Sequence, residues 1–87
     1  MGYHMPFHPD APARIAAKID RGDLPLDLPR RMWAGRGGGK ACDGCGEVID
    51  PSQVEYEFEA ADGHTVRLHL GCASLLEAER RRRANPA

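Results

Sequence analysis

Cys42-Asp43-Gly44-Cys45 and His69-Leu70-Gly71-Cys72 are the two stretches on which this sequence turns. The first is a C-x2-C pair, the second an H-x2-C pair, and 23 residues separate them. Together they use all three cysteines of the chain. Two residues between ligands let a tight turn aim both sulfurs at one point, and Gly44 and Gly46 offer the backbone freedom such a turn needs. At the second pair, ligands three apart at a helix start share one face, and the positive helix end favours thiolate. Cys42, Cys45, His69 and Cys72 thus form the Cys3His set of a closed, tetrahedral structural site, and one Zn2+ per chain is expected. An odd cysteine count with no apolar leader argues against a disulfide framework. Three ordinary buried cysteines and a strand histidine are the plainer reading. Two ligand pairs in this order, with glycines at the knuckle and a hairpin between, rarely arise by chance. His64 competes as the fourth ligand, but it sits on a turn away from a second ligand pair.

Working outward, Val54-Glu55-Tyr56-Glu57-Phe58-Glu59 alternates apolar and acidic with period two, the mark of a half-buried strand. Asp62-Gly63 carries a hairpin-turn signal, and Thr65–Leu70 alternates again with Val66, Leu68 and Leu70 on one face. Gly71–Arg83 reads as a helix with Leu75 and Leu76 inward. These elements make a zinc-binding body over residues 40–84. Its expected apolar residues are Val48, Ile49, Val54, Tyr56, Phe58, Val66, Leu68, Leu70, Leu75 and Leu76. That is too few to hold a fold alone, whereas zinc binding contributes roughly 10–16 kcal/mol in small finger peptides.

Upstream, Asp10–Arg21 is a helix candidate, with Asp10 as N-cap, Pro12 in the first turn and an Ile15/Ile19 stripe; Gly22 stops it. Leu24-Pro25-Leu26-Asp27-Leu28-Pro29 is extended, because each proline disfavours helix in its predecessor. It reads as a strap whose leucines and Trp33 lie on the body. Gly35–Gly39, with four glycines in five positions, reads as a flexible joint. Residues 10–39 form this helix, strap and joint. Residues 1–9 read as a disordered leader whose first part resembles a cloning scar, and 85–87 as a tail. His4 and His8 fall in that leader and are expected to be solvated.

Knuckle, hairpin, then a helix bearing the last ligands is the order of a treble-clef finger, so the fold class is α+β. The spacing resembles the first zinc site of LIM domains and, with a shorter loop, PARP-type fingers. The whole chain resembles a group of short, largely uncharacterised proteobacterial proteins. There a helix and an "LP…R.WxGxGxG" strap precede "CxxCG…I", an acidic "EYE"-like strand and "HxxC" before a final helix. The matching residues include Gly22, Leu24, Pro25, Pro29, Arg31, Trp33, Gly35, Gly37, Gly39, Gly46, Ile49, Glu55, Tyr56 and Glu57, besides the four ligands, over about residues 13–80. The resemblance implies zinc and the fold but no activity. LIM domains hold two zinc sites, whereas this chain has one ligand set, so LIM partner rules do not transfer.

Composition narrows the function. Twelve Lys+Arg face thirteen Asp+Glu, so no bulk attraction to nucleic acid or membrane is built in. No apolar run of about 18 residues suits a bilayer, and a cytoplasmic location is expected. Four protein ligands leave no open metal position for water, so no enzyme is expected. Gly35-Arg36-Gly37-Gly38-Gly39-Lys40 fails as a phosphate loop, because Ala41 stands where Ser or Thr is required. Function then lies in binding: a protein-interaction or regulatory module with an unidentified protein partner and no small-molecule substrate. Trp33 is either the strap's anchor or an exposed contact. Glu55, Glu57 and Glu59 line one strand face, either its wet side or a surface for a basic partner. Arg80, Arg81, Arg82 and Arg83 form a solvated helix end or, with the Arg30–Lys40 segment, a nucleic-acid-binding patch. A redox- or zinc-responsive switch is a third reading.

Overall fold

The alternation of Val54–Glu59 becomes the central strand of a three-stranded antiparallel sheet. The computed structural model describes residues 8–27 and 31–84. Along the chain come α1 (Ala11–Asp20), β1 (Arg31–Arg36), β2 (Val54–Glu59), β3 (Thr65–His69) and α2 (Leu70–Ala84), and the strands lie in the order β1-β2-β3. The hairpin register sets Tyr56 opposite Leu68 and Phe58 opposite Val66. Phe58, Val66 and Leu68 are buried, so one face of the sheet meets the core. The resulting architecture is small and α+β. None of the described helices is long and apolar enough to cross a membrane. The leader residues 1–7, strap residues 28–30 and tail residues 85–87 lie outside the described residues.

Helix α1 forms where the isoleucine stripe places it. Ala11, Ile15 and Ile19 recur at i, i+4 and i+8 and are its buried residues. Asp10 occupies the N-cap position but makes no side-chain cap hydrogen bond. At the other end Gly22 adopts φ +80° and donates its N–H to Ile19, which ends the helix as its position suggests. Leu24 is buried, and Leu26 packs partly against the same core, so this part of the strap does lie on the body.

The stretch expected to be strap and joint is where the structure differs. Arg31–Arg36 is a strand, paired with β2 from Arg31 opposite Glu59 to Arg36 opposite Val54. Trp33 is thus a sheet residue, 49% exposed, and not an anchor buried under a strap. The glycines after it are also tied down. Gly37 N–H donates to Gln53 O and Gly39 N–H to Ile49 O, both at 2.9 Å, and Gly38 N–H reaches Glu55 Oε1. Arg31–Arg36 shows no hydrophobic period, and all six of its residues are exposed. What recruits it is the ladder and the acidic, aromatic strand beside it. Val48, Val54 and Leu70, expected in the core, are instead 57%, 43% and 47% exposed. Val54 and Leu70 begin β2 and α2, and Val48 lies in an isolated bridge outside the sheet, places where alternation does not report burial.

The core joins Ile15, Ile19, Leu24, Ile49, Phe58, Val66, Leu68 and Leu76 to the three cysteines. Gly37 is needed for a close approach. A Cβ there would fall on the carbonyl oxygen of Asp50 and 2.7 Å from that of Ile49, whereas one at Gly35 would meet nothing. Gly37→Ala should therefore destabilise the metal-loaded protein by about 1–3 kcal/mol, and Gly35→Ala should change stability by less than about 0.5 kcal/mol. Chemical denaturation of the two variants checks this. Equal tolerance of both would mean that the segment is the loose joint its composition suggests.

Candidate metal centre

A turn, a strand end and a helix start bring the predicted ligands together. Cys42 and Cys45 lie in a turn in which Gly46 N–H donates to Cys42 O at 2.9 Å, with Gly46 at φ +86°. Gly46 therefore supplies the left-handed conformation. Gly44 has a different role: a Cβ there would come within 3.1 Å of side-chain carbons of Ile15 and Leu68. It lets the helix and the strand close on the knuckle. His69 ends β3 and Cys72 lies in the first turn of α2. Cys42 Sγ, Cys45 Sγ, Cys72 Sγ and a ring nitrogen of His69 all fall within 4.8 Å of one another, and all four residues are buried. This group could hold a metal ion. His64 is elsewhere, on the hairpin turn, its Nδ1 2.5 Å from Asp62 Oδ1.

The surroundings orient the donors. His69 Nε2 lies 3.1 Å from the carbonyl of Val48. With the ring proton there, Nδ1 is free as a donor, 3.5 Å from Cys45 Sγ and 4.0 Å from Cys72 Sγ. Cys42 Sγ accepts from Gly44 N–H at 3.3 Å and from His69 N–H at 3.5 Å. The Cys42 thiol is pulled down to about 4, first by the hydrogen bond from the Cys72 thiol and then, against the cost of burial, by backbone N–H groups of Cys45, His69 and Gly44. Cys72 is pushed up, chiefly because it gives that hydrogen bond, and then by burial and the nearby negative sulfur. Cys45 is pushed up mainly by burial. Without a cation, three thiols this close share one negative charge; a bound cation would let all three ionise.

Sequence reasoning missed what holds the knuckle. Helix α1 presents Arg14, Ile15 and Lys18 to it. Arg14 Nη1 donates to Cys45 O at 2.5 Å and to Glu47 Oε2 at 3.1 Å, and Lys18 Nζ donates to Asp43 O at 2.9 Å. On the other side Asp43 grips β3: its N–H donates to Arg67 O at 2.7 Å, and its Oδ2 accepts from Arg67 N–H at 2.8 Å. The signal was present, since Arg14 and Lys18 sit four apart beside the isoleucine stripe. Nothing in the sequence says that this face meets a loop 25 to 33 residues away.

The candidate partner-binding residues are dispersed. Trp33 lies on β1 directly opposite Glu57. Glu55, Glu57 and Glu59 share one face of β2, but that face is not simply wet. Arg67 Nε lies 3.6 Å from Glu55 and 3.7 Å from Glu57, and the Glu55 side chain is only 12% exposed. Arg80, Arg81, Arg82 and Arg83 end α2, and each pairs within the chain. Arg80 and Arg81 meet Glu77, Arg82 and Arg83 meet Glu79, and Arg83 also reaches Asp20 of α1 at 2.9 Å. Arg30 lies outside the described residues.

Comparison of the chain with family models, with curated proteins and with solved structures finds no match. The metal centre therefore stands on its own residues.

A metal ion held by three thiolates displaces the protons of Cys45 and Cys72, so its affinity should rise with pH and fall as acid returns those protons. For two protons the apparent affinity changes about a hundredfold per pH unit near neutrality. Competition with a metal-sensitive dye between pH 6 and 8 measures the slope. A pH-independent affinity would exclude these thiols as ligands.

Proposed function

We propose that the chain is a structural zinc module of treble-clef type, acting as a protein-interaction or regulatory domain and not as an enzyme. One observation carries this reading: four buried protein donors converge, so the chain itself fills all four positions of a tetrahedral ion. The donor set favours zinc. Three sulfurs and one imidazole suit that ion, and bond lengths of roughly 2.0–2.3 Å give donor separations of about 3.6–3.8 Å. For a sulfur–nitrogen pair the separation is about 3.5–3.6 Å; the Cys45 distance of 3.5 Å matches it and the Cys72 distance of 4.0 Å is a few tenths longer. Such a site carries a net charge near −1, and Arg14 and Lys18 on the knuckle carbonyls offset it. The order of knuckle, hairpin and ligand-bearing helix supports the treble-clef reading, as does the resemblance to the short proteobacterial proteins and to LIM-type spacing. Bound, the ion supplies a cross-link between knuckle and helix and no reactive position. Three unbridged thiols suit a reducing, cytoplasmic setting.

The interaction role draws support from the surface. Met32 and Trp33, consecutive large apolar residues on opposite faces of β1, are each about half exposed. The nucleic-acid alternative is weaker, because every arginine of the α2 run is already engaged by a carboxylate of the same chain. Burial of all three cysteines limits their access to oxidants, which weakens the redox-switch reading.

Native mass spectrometry with circular dichroism, before and after chelation, tests the structural part. One zinc per chain and collapse of structure on its removal are expected; a folded, metal-free protein with three free thiols would sink the proposal. For the interaction part, Trp33→Ala should keep zinc and helix content yet lose a captured protein partner. Unfolding of that variant would make Trp33 structural and put the interface elsewhere.

A further inference from the structure

The sheet has two outer edges, and the chain treats them differently. The knuckle lies along β3, where Asp43 takes both the N–H and the C=O of Arg67. The opposite edge belongs to β1, whose inner side pairs with β2 over its whole length. Among the described residues, no backbone hydrogen bond reaches β1 from its outer side. An open strand edge presents a row of N–H and C=O groups that templates a further strand.

The side chains of β1 select what that strand is, because they meet neighbours on both edges alike. Arg31, Trp33 and Gly35 share one face; Met32, Ala34 and Arg36 share the other. On the inner edge, β2 sets Glu59, Glu57 and Glu55 against the first face and Phe58, Tyr56 and Val54 against the second. The chain thus contains its own example of the chemistry β1 accepts. The two charges of β1 are both positive. On its second face, Met32 forms the rim of a groove of about 470 Å3 running between the sheet and α2, with Tyr56, Leu70, Ala73 and Ala78.

We propose that the outer edge of β1 takes an extended segment of a partner protein, alternating acidic and apolar residues, as a fourth strand. This rests on the interaction-module reading and names the partner's chemistry. Carboxylates of the segment lie beside Arg31, and its apolar side chains lie beside Met32, lengthening the floor of the groove. A second copy of β1 is a poorer occupant, since it brings two more arginines and no acid to the seam, and like charges across strands are destabilising. A basic segment meets the same repulsion.

The test uses the zinc-loaded protein and a blocked synthetic peptide copying residues 53–60, the acidic strand. Trp33 is the only tryptophan of the chain, so its fluorescence reports directly on β1. The expected result is a saturable fluorescence change with slowed amide exchange over Arg31–Arg36. The double variant Arg31→Glu/Arg36→Glu should lose at least tenfold in affinity while keeping one zinc. Arg31→Gln alone, which removes the charge but keeps a polar side chain opposite Glu59, gives the same test should the double variant fail to fold. Three results would overturn the proposal: equal binding of a peptide with lysine for each glutamate, no binding of the acidic peptide at millimolar concentration, or a dimer of the protein alone with β1 amides protected. If the acidic peptide fails while Trp33→Ala still loses a captured partner, strand addition falls and the module stands. If both fail, the module falls with it.

Discussion

The seat of the knuckle is the constraint from which the rest of the structure follows. Residues 42–46 form a short turn with a single strand-like bridge, Ala41 to Val48, at its base. Such a turn has little reason of its own to stay in place. It is held from one side by α1, through Ile15 against Gly44 and through Arg14 and Lys18 on its carbonyls, and from the other by Asp43 on β3. With both contacts made, the sulfurs of Cys42 and Cys45 meet His69 and Cys72. Three of the twelve residues in the buried core are these cysteines. The candidate metal site and the hydrophobic core are therefore one structure.

The same economy governs the charged surface. Segregation of charge along the sequence suggests an acidic strand and a basic tail facing outward as separate fields. In the fold they become local pairs: Arg67 between Glu55 and Glu57, and the α2 arginines on Glu77, Glu79 and Asp20. Exposed pairs of this kind contribute roughly 0–1 kcal/mol each. Their larger effect is to leave the arginine run of α2 little unpaired charge for long-range attraction. Arg83 to Asp20 also ties the end of α2 to the end of α1, the helix that holds the knuckle. On β1, by contrast, Met32 and Trp33 remain about half exposed.

Much of this was legible before any coordinates. The ligand set, the hairpin, both helices and the Gly22 stop could be read because each depends on residues close in sequence. Sulfur and imidazole pairs at two-residue spacing, strict alternation and a helical stripe are all local patterns with local causes. Strand β1 could not be read in that way. Arg31–Arg36 has no hydrophobic period, and its strand state depends on pairing with Val54–Glu59, a segment far along the chain. The exposure of Val48, Val54 and Leu70 was hidden for the related reason that alternation tells which side chains share a face, not where the covering layer stops.

The sequence by itself determined which atoms can bind a metal and which segments bend, extend or coil, since those properties are set by side-chain chemistry and nearest neighbours. Tertiary structure alone decided that α1 clamps the knuckle, that a glycine-rich stretch lies flush on the body, that Arg83 reaches across to Asp20, and that the knuckle covers the β3 edge of the sheet. Those outcomes turn on contacts between residues apart in the chain, from 17 positions for Gly38 and Glu55 to 63 for Arg83 and Asp20, and a hydrogen bond or a charge pair depends on separation in space, which the order of residues does not record.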